Sequence, residues 1–523
     1  MRPLLTLALL AACAPAATFA QQPARPKPAL VVFIAVDQMR PDYFERWPGQ
    51  LTGGLKRLYE TGAFYAQGQQ DHAITETAPG HSTMLSGRSP ASTGVVTNEL
   101  GVPDSTMPLI GVPGPGASPR RVNGTMLYDW MKAADPATRV LSISRKDRGA
   151  ILPIGKAKVP VFWYQSGIFT TSKYYADTLP TWLLAWNARG GVAKMAGRTW
   201  DLLNSADTYA EPDSQPWERG GNSFMMPKTL STDTARVVFE LLAVPWMDSL
   251  TADVALDGAR ALSLGKRENG TDLLSVSFST TDAIGHVYGP DSREQHDQIL
   301  RLDKWLGWFM DSLNVLVGGR PIVYALTADH GVTSFPEYLH SKGRMGGRAR
   351  ADSAVLQTWR ALEPKFKTTF GIDFNNGLML ADVAAIKKAG LNFDSLASAV
   401  ASKLANITGV TAVYTPKLLA AADTANVNAM RWRRSIPSDF GWIAAASLAP
   451  FYIWSFSPAA TTHGSTNADD VQVPIVFMGA GIPAGKYKVA RTVDIAPTLA
   501  AYLGIKPLEA VEGIPLPDVI KSP

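Results

Sequence analysis

Four segments that lie far apart in this chain carry residues able to hold metal ions. They are Asp37; Asp282 with His286 four residues on; Asp329 with His330 beside it; and His463 within Thr461-Thr462-His463-Gly464-Ser465. Zn²⁺ accepts imidazole nitrogen and carboxylate oxygen, and catalytic sites keep one position open for water or substrate. Asp282-x-x-x-His286 offers two ligands from one turn, and three aspartates with three histidines suffice for two ions. Each residue alone is ordinary, because an aspartate after a strand is often a helix cap and an Asp-His pair in a loop is often only solvated. Joint placement is what points to a metal centre.

A second segment, Glu76-Thr77-Ala78-Pro79-Gly80-His81-Ser82-Thr83-Met84, sets a threonine before a proline suited to the first turn of a helix. A helix start offers unpaired N–H groups and a positive dipole end, which favour an anion. Thr77 there is either a simple cap or a hydroxyl nucleophile, the latter requiring a metal ion to lower its pKa.

These residues need a scaffold that brings them together. Leu30-Val31-Val32-Phe33-Ile34-Ala35-Val36 stops at Asp37, Leu273 to Ser279 leads into Asp282, and Pro321 to Thr327 reaches Asp329. Short Val/Ile-rich runs separated by long mixed segments read as buried strands of a parallel sheet. Ligands of such sheets bind beyond the carboxyl ends of the strands, so the three aspartates are expected along one edge. The fold class is therefore α/β, doubly wound and mainly parallel, with flanking helices expected at 251–264, 295–316 and 495–503. Residues of about 102–240, rich in Gly, Pro and Trp, read as an inserted covering lobe. About 340–455 reads as a second insertion with α+β character. The core resumes at Val473-Pro474-Ile475-Val476.

The 523 residues, 46% hydrophobic and 18% charged, are those of a large globular chain. Met1-Arg2 and the apolar stretch to Leu10 read as a secretory signal ending at Ala20, followed by a Pro/Ala/Gln leader at 21–28. The catalytic domain then spans 29–523. Secretion or a periplasmic location follows. Cys13, the sole cysteine, falls inside the signal, where Leu10-Ala11-Ala12-Cys13 also has the spacing of a lipid-attachment site. No stretch is long enough to span a membrane. The net charge of +5 is mild for this length, and no basic run or nucleic-acid motif stands out.

The ordered set of residues resembles the alkaline phosphatase superfamily, and within it the bacterial periplasmic alkaline phosphatases with a threonine nucleophile. The resemblance runs from about Leu30 to Leu516, interrupted by the insertions. It implies two zinc ions, one held by Asp37, Thr77, Asp329 and His330, the other by Asp282, His286 and His463. Thr77 matches the nucleophile of the T-x-P-[GN]-H segment, and Asn98, in Val95-Val96-Thr97-Asn98-Glu99, matches the asparagine that binds substrate phosphate. Lys146 and Arg148, in Ser144-Arg145-Lys146-Asp147-Arg148, match the K-x-R element that contacts the transferred phosphoryl group. A phosphate monoester brings two negative charges, which a lysine point charge and a planar guanidinium suit.

The implied activity is hydrolysis of small phosphate monoesters through a phosphothreonine, with an alkaline pH optimum and a monomeric enzyme. A nucleotide pyrophosphatase or phosphodiesterase with the same metals is the nearest alternative. An inactive phosphate-binding protein is a more distant one. A sulfatase lacks support, since no Cys or Ser followed by x-P-x-R stands at the nucleophile position.

Overall fold

The computed structural model describes residues 26–218, 225–350, 372–455 and 460–520. The expected signal, Cys13 and most of the leader lie outside these.

Nine strands form the main sheet: β1 (Leu30–Val36), β2 (Ala63–Gln69), β3 (Val140–Ser144), β4 (Val161–Gln165), β5 (Ile168–Thr170), β6 (Asp272–Phe278), β7 (Ile322–Thr327), β8 (Ile475–Gly479) and β9 (Gly485–Arg491). Their order is β9-β2-β8-β7-β1-β6-β3-β4-β5. The central β7-β1-β6-β3-β4 ladder is parallel, whereas β8 is antiparallel to both its neighbours and β5 to β4. Every residue of β1, β6 and β7 is buried, as expected for strands covered on both faces.

Register explains how the aspartates meet. Val36 pairs with Phe278 and Ala35 with Thr327, so β1, β6 and β7 end level with one another. Asp37, Asp282 and Asp329 leave from that common carboxyl edge. Helices Trp246–Ala261 and Arg293–Val317 cover the sheet, each starting a few residues earlier than the periodicity suggests, and the last long helix spans Ile495–Leu503.

The segment at 102–240 corrects the sequence reading. It supplies β3, β4 and β5 to the main sheet and is not simply a covering insertion. These strands are short and partly aromatic, so they lack the long aliphatic runs that mark β1 and β7. The rest of the segment is tied down by polar anchors. Asp297, fully buried, accepts from Trp200 Nε1 and Tyr209 Oη, both at 2.7 Å.

Within 340–455 a separate antiparallel sheet runs in the order Ile372–Asn375, Leu378–Ala381, Trp442–Leu448, Val410–Tyr414. Ile386, Leu396, Val400 and Leu404 pack on it as a small core of their own. A further apolar cluster joins Trp432 and Trp442 of this unit to Ile74 and Val96, which flank the Thr77 segment. Among the described residues no helix is long and apolar enough to cross a membrane.

Candidate active site

Two clusters of metal-ligating atoms form at the sheet edge. Asp37, Asp329 and His330 make one, Asp282, His286 and His463 the other, with ligand atoms in each within 4.8 Å of one another. The rings of His330 and His463 stack at 3.5 Å between centroids, so the clusters adjoin.

Hydrogen bonding fixes how the imidazoles face. His286 Nδ1 lies 3.0 Å from the Thr461 carbonyl, His330 Nδ1 3.0 Å from that of Gly331, and His463 Nδ1 2.7 Å from that of Thr75. A carbonyl can only accept, so each Nδ1 carries a proton, and a ring in its neutral form presents Nε2 as a lone pair. Those lone pairs point at carboxylates: His286 Nε2 is 3.2 Å from Asp282 Oδ1, and His330 Nε2 is 3.5 Å from Asp37 Oδ1. Asp37 Oδ1 and His330 Nε2 are buried and have no hydrogen-bond partner among the described residues. Lone pairs facing carboxylates, with the far nitrogen tied to backbone, are what a divalent cation requires of its ligands. The residues fit metal ions.

The charges agree. Burial, reinforced by Asp282 and Asp329, pushes the Asp37 carboxyl up to about 7. Burial opposes ionisation of Asp282 too, but Lys146 and His286 hold it well below the ordinary carboxylate range. Asp329 is likewise held low against its burial by His330 and His81. Burial, with His330 and His286 nearby, keeps His463 neutral.

Thr77 is the first residue of helix Thr77–Met84, with Glu76 as the extended residue before it. Its hydroxyl therefore does not cap the helix. Thr77 Oγ1 instead accepts from Lys146 Nζ at 3.2 Å. The same ammonium lies 2.6 Å from Asp37 Oδ2 and 2.7 Å from Asp282 Oδ2, so the hydroxyl and both clusters share one point. The helix can approach this closely because residue 80 is glycine: a Cβ there would sit 2.2 Å from the Asp329 carbonyl oxygen.

Asn98 Oδ1 accepts the backbone N–H of Ala78 at 2.8 Å, which leaves its Nδ2 to donate elsewhere. Lys146 precedes the short helix Asp147–Ile151 at the end of β3. Arg148 follows on the same turn, its Nε buried without a hydrogen-bond partner among the described residues and its guanidinium within the field of Asp147, Asp37, Asp282 and Asp329. The candidate metal ligands, Thr77, Asn98, Lys146 and Arg148 thus lie in or beside one site.

Several residues that position the site have no assigned role in the sequence reading, His81 among them although it closes the T-x-P-[GN]-H segment. Gln38, buried in a left-handed conformation at φ 66°, donates Nε2 to Asp282 Oδ1 at 2.9 Å and its backbone N–H to Asp329 Oδ1 at 3.1 Å, bracing both clusters. His81 Nδ1 donates to the Thr77 carbonyl at 2.9 Å and lies 3.2 Å from Asp329 Oδ2. Its i,i+4 spacing from Thr77 was the available signal. Asp470 accepts from Thr333 Oγ1 at 2.8 Å and from Ser465 N–H at 3.0 Å, tying the His463 loop to the loop after His330. The cations near Trp432 serve structure: Arg433 donates to the Leu419 and Ala422 carbonyls, Arg434 pairs with Asp71, and Arg431 donates to the Thr466 carbonyl.

The profile of the family described as Type I phosphodiesterase / nucleotide pyrophosphatase matches residues 31–349. Alkaline phosphatase PhoV of Synechococcus elongatus is 32% identical over 96% of this chain and 94% of its own length. The chain belongs to this phosphodiesterase/pyrophosphatase family. Alkaline phosphatase PafA of Elizabethkingia meningoseptica is 30% identical over 95% of each chain. The crystal structure of wild-type alkaline phosphatase PafA superposes with a TM-score of 0.86 at 27% identity, covering 95% of this chain and 100% of that one. The alkaline-phosphatase-like fold expected from the sequence is thereby borne out. The family profile ends at residue 349, before His463, so it spans only part of the site.

Proposed function

We propose that this chain is a secreted or periplasmic alkaline phosphatase, hydrolysing phosphate monoesters through a phosphothreonine on Thr77 with two zinc ions. The observation that carries the reading is the meeting of Thr77 Oγ1 with Lys146 Nζ, 3.2 Å apart, between two clusters built of Asp and His. The full-length relatives named as alkaline phosphatases support it.

Zinc held by Asp37, Thr77, Asp329 and His330, and by Asp282, His286 and His463, would supply Lewis acidity toward the Thr77 hydroxyl and the leaving oxygen. Thr77 Oγ attacks phosphorus as the ester oxygen departs, and the alcohol leaves with a proton. Water then attacks the phosphothreonine from the opposite side, releasing phosphate and restoring the hydroxyl. Asn98 Nδ2, Lys146 and Arg148 hold the nonbridging oxygens, so this chain's contribution is positioning and electrostatics.

The test is turnover of p-nitrophenyl phosphate against bis-p-nitrophenyl phosphate, with zinc restored after chelation, together with detection of phosphate trapped on Thr77. Preference for the diester would replace this reading with the phosphodiesterase one, which the description of the family profile favours. Substituting Lys146 and Arg148 separates the two, since monoester hydrolysis should suffer far more.

A further inference from the structure

The hairpin joining strands Ile372–Asn375 and Leu378–Ala381 turns at Asn376 and Gly377, whose φ values are 44° and 92°. Two central residues with positive φ are the tight hairpin geometry that Asn-Gly favours. The hairpin belongs to the separate antiparallel sheet, yet its tip lies against the catalytic centre. Asn376 Nδ2 donates to Glu76 Oε1, and Asn375 Nδ2 donates to Glu99 Oε2 at 2.8 Å. The turn also abuts the His463 loop, since a Cβ on Gly464 would sit 2.4 Å from Asn376 Cγ.

Glu76 is 3% exposed and immediately precedes Thr77. Its other oxygen accepts the backbone N–H of Asn98 at 2.7 Å. Asn98 in turn accepts from Ala78 N–H through Oδ1, closing a circuit around the start of the Thr77 helix. A buried carboxylate is held in one orientation only while its donors remain, and this one is held jointly by Asn98 and Asn376. We infer that Asn376 is a positioning residue for phosphoryl transfer: through Glu76 it fixes the backbone of Asn98, and so aims the Asn98 amide at the phosphoryl oxygens. The separate subdomain thereby reaches into the chemistry of the main sheet through one amide. The inference rests on the phosphatase reading of Thr77 and Asn98.

Asn376→Gly is the decisive variant, because glycine keeps the positive φ while removing the donor. In the full-length, zinc-loaded protein it should lower kcat/KM for p-nitrophenyl phosphate by about tenfold, the scale of one hydrogen bond to a charged group, with the protein still folded and its melting temperature lower by only a few degrees. In an Asn98→Ala background the same substitution should have no further effect, since the residue it acts through is gone. Exchanging the partners, Glu76→Gln with Asn376→Asp, should restore activity relative to Asn376→Asp alone. The introduced amide still accepts from Asn98 N–H and now donates to the introduced carboxylate. Parent-like kcat/KM in Asn376→Gly, or losses that multiply with Asn98→Ala, would overturn the positioning role. A parent protein that releases no phosphate would instead overturn the functional reading beneath it.

Discussion

Lys146 Nζ lies 2.6 Å from Asp37 Oδ2, a buried ion pair at the point where the two metal-ligating clusters adjoin. The ammonium reaches Asp282 as well, so it offsets one charge in each cluster. Removing it leaves buried carboxylates unpaired, which is costlier than the loss of a surface ion pair. Lys146→Ala is expected to destabilise the chelator-treated protein by about 3 kcal/mol, and the zinc-loaded protein by less. It should also lower kcat/KM for a monoester by about 10²-fold or more. Thermal melts with and without metal, beside steady-state kinetics, check both effects.

Chelation should destabilise the protein in its own right. The carboxylates of Asp37, Asp282 and Asp329 repel one another, and bound cations relieve that repulsion. Adding back Zn²⁺ at about 100 times its dissociation constant should return about 2.7 kcal/mol of stability per site. Elemental analysis is expected to find two zinc ions per chain, falling to one in His463→Ala. A parent-like metal content in that variant would remove His463 from the ligand set.

Asp470 holds the His463 loop without touching the candidate metal ligands. Asp470→Ala leaves the Thr333 hydroxyl and the Ser465 N–H and hydroxyl without their buried acceptor. The expected cost is about 3 kcal/mol in denaturant unfolding. Because the loop presents His463, zinc affinity should fall by about tenfold in a chelator competition.

A pH effect on stability is expected at a buried acid pair outside the ligand set. Glu294 is fully buried, neither carboxylate oxygen is hydrogen-bonded among the described residues, and burial together with Glu218 pushes it up to about 9. Burial raises Glu218 to about 8. Unfolded, both carboxyls titrate near 4.5. Between these limits the folded chain binds protons that the unfolded chain has released, so stability falls as pH rises and is greatest below the unfolded value. Glu294→Gln should raise Tm at pH 9 by a few degrees, on the order set by about 1–2 kcal/mol, and leave Tm at pH 5 nearly unchanged.

The chemistry was legible in residue type and order, whereas the support around it was not. Asp37, Asp282 and Asp329 each follow a run of apolar residues, a pattern visible without coordinates. Gln38 gives no such signal, because an uncharged residue after a strand is unremarkable until its left-handed backbone and its two carboxylate partners are seen. Asp470 and Glu76 read as ordinary acids, and only burial among specific donors gives them a task. The strands Val140–Ser144 and Val161–Gln165 were hidden for a related reason. At five residues each, they carry too little periodicity to stand out from the surrounding loops.

By itself, the sequence determined the central strands that end at the aspartates, the residues at their carboxyl edge and the nucleophile segment, since apolar runs and ligand types are local properties of the chain. Tertiary structure decided which atoms face one another. Level strand ends brought the aspartates together, and three backbone carbonyls turned each imidazole so that Nε2 faces inward. It also set the tip of a distant hairpin beside Glu76, 300 residues away in sequence. Hydrogen-bond direction and close approach depend on where separate segments lie in space, and no local pattern encodes that.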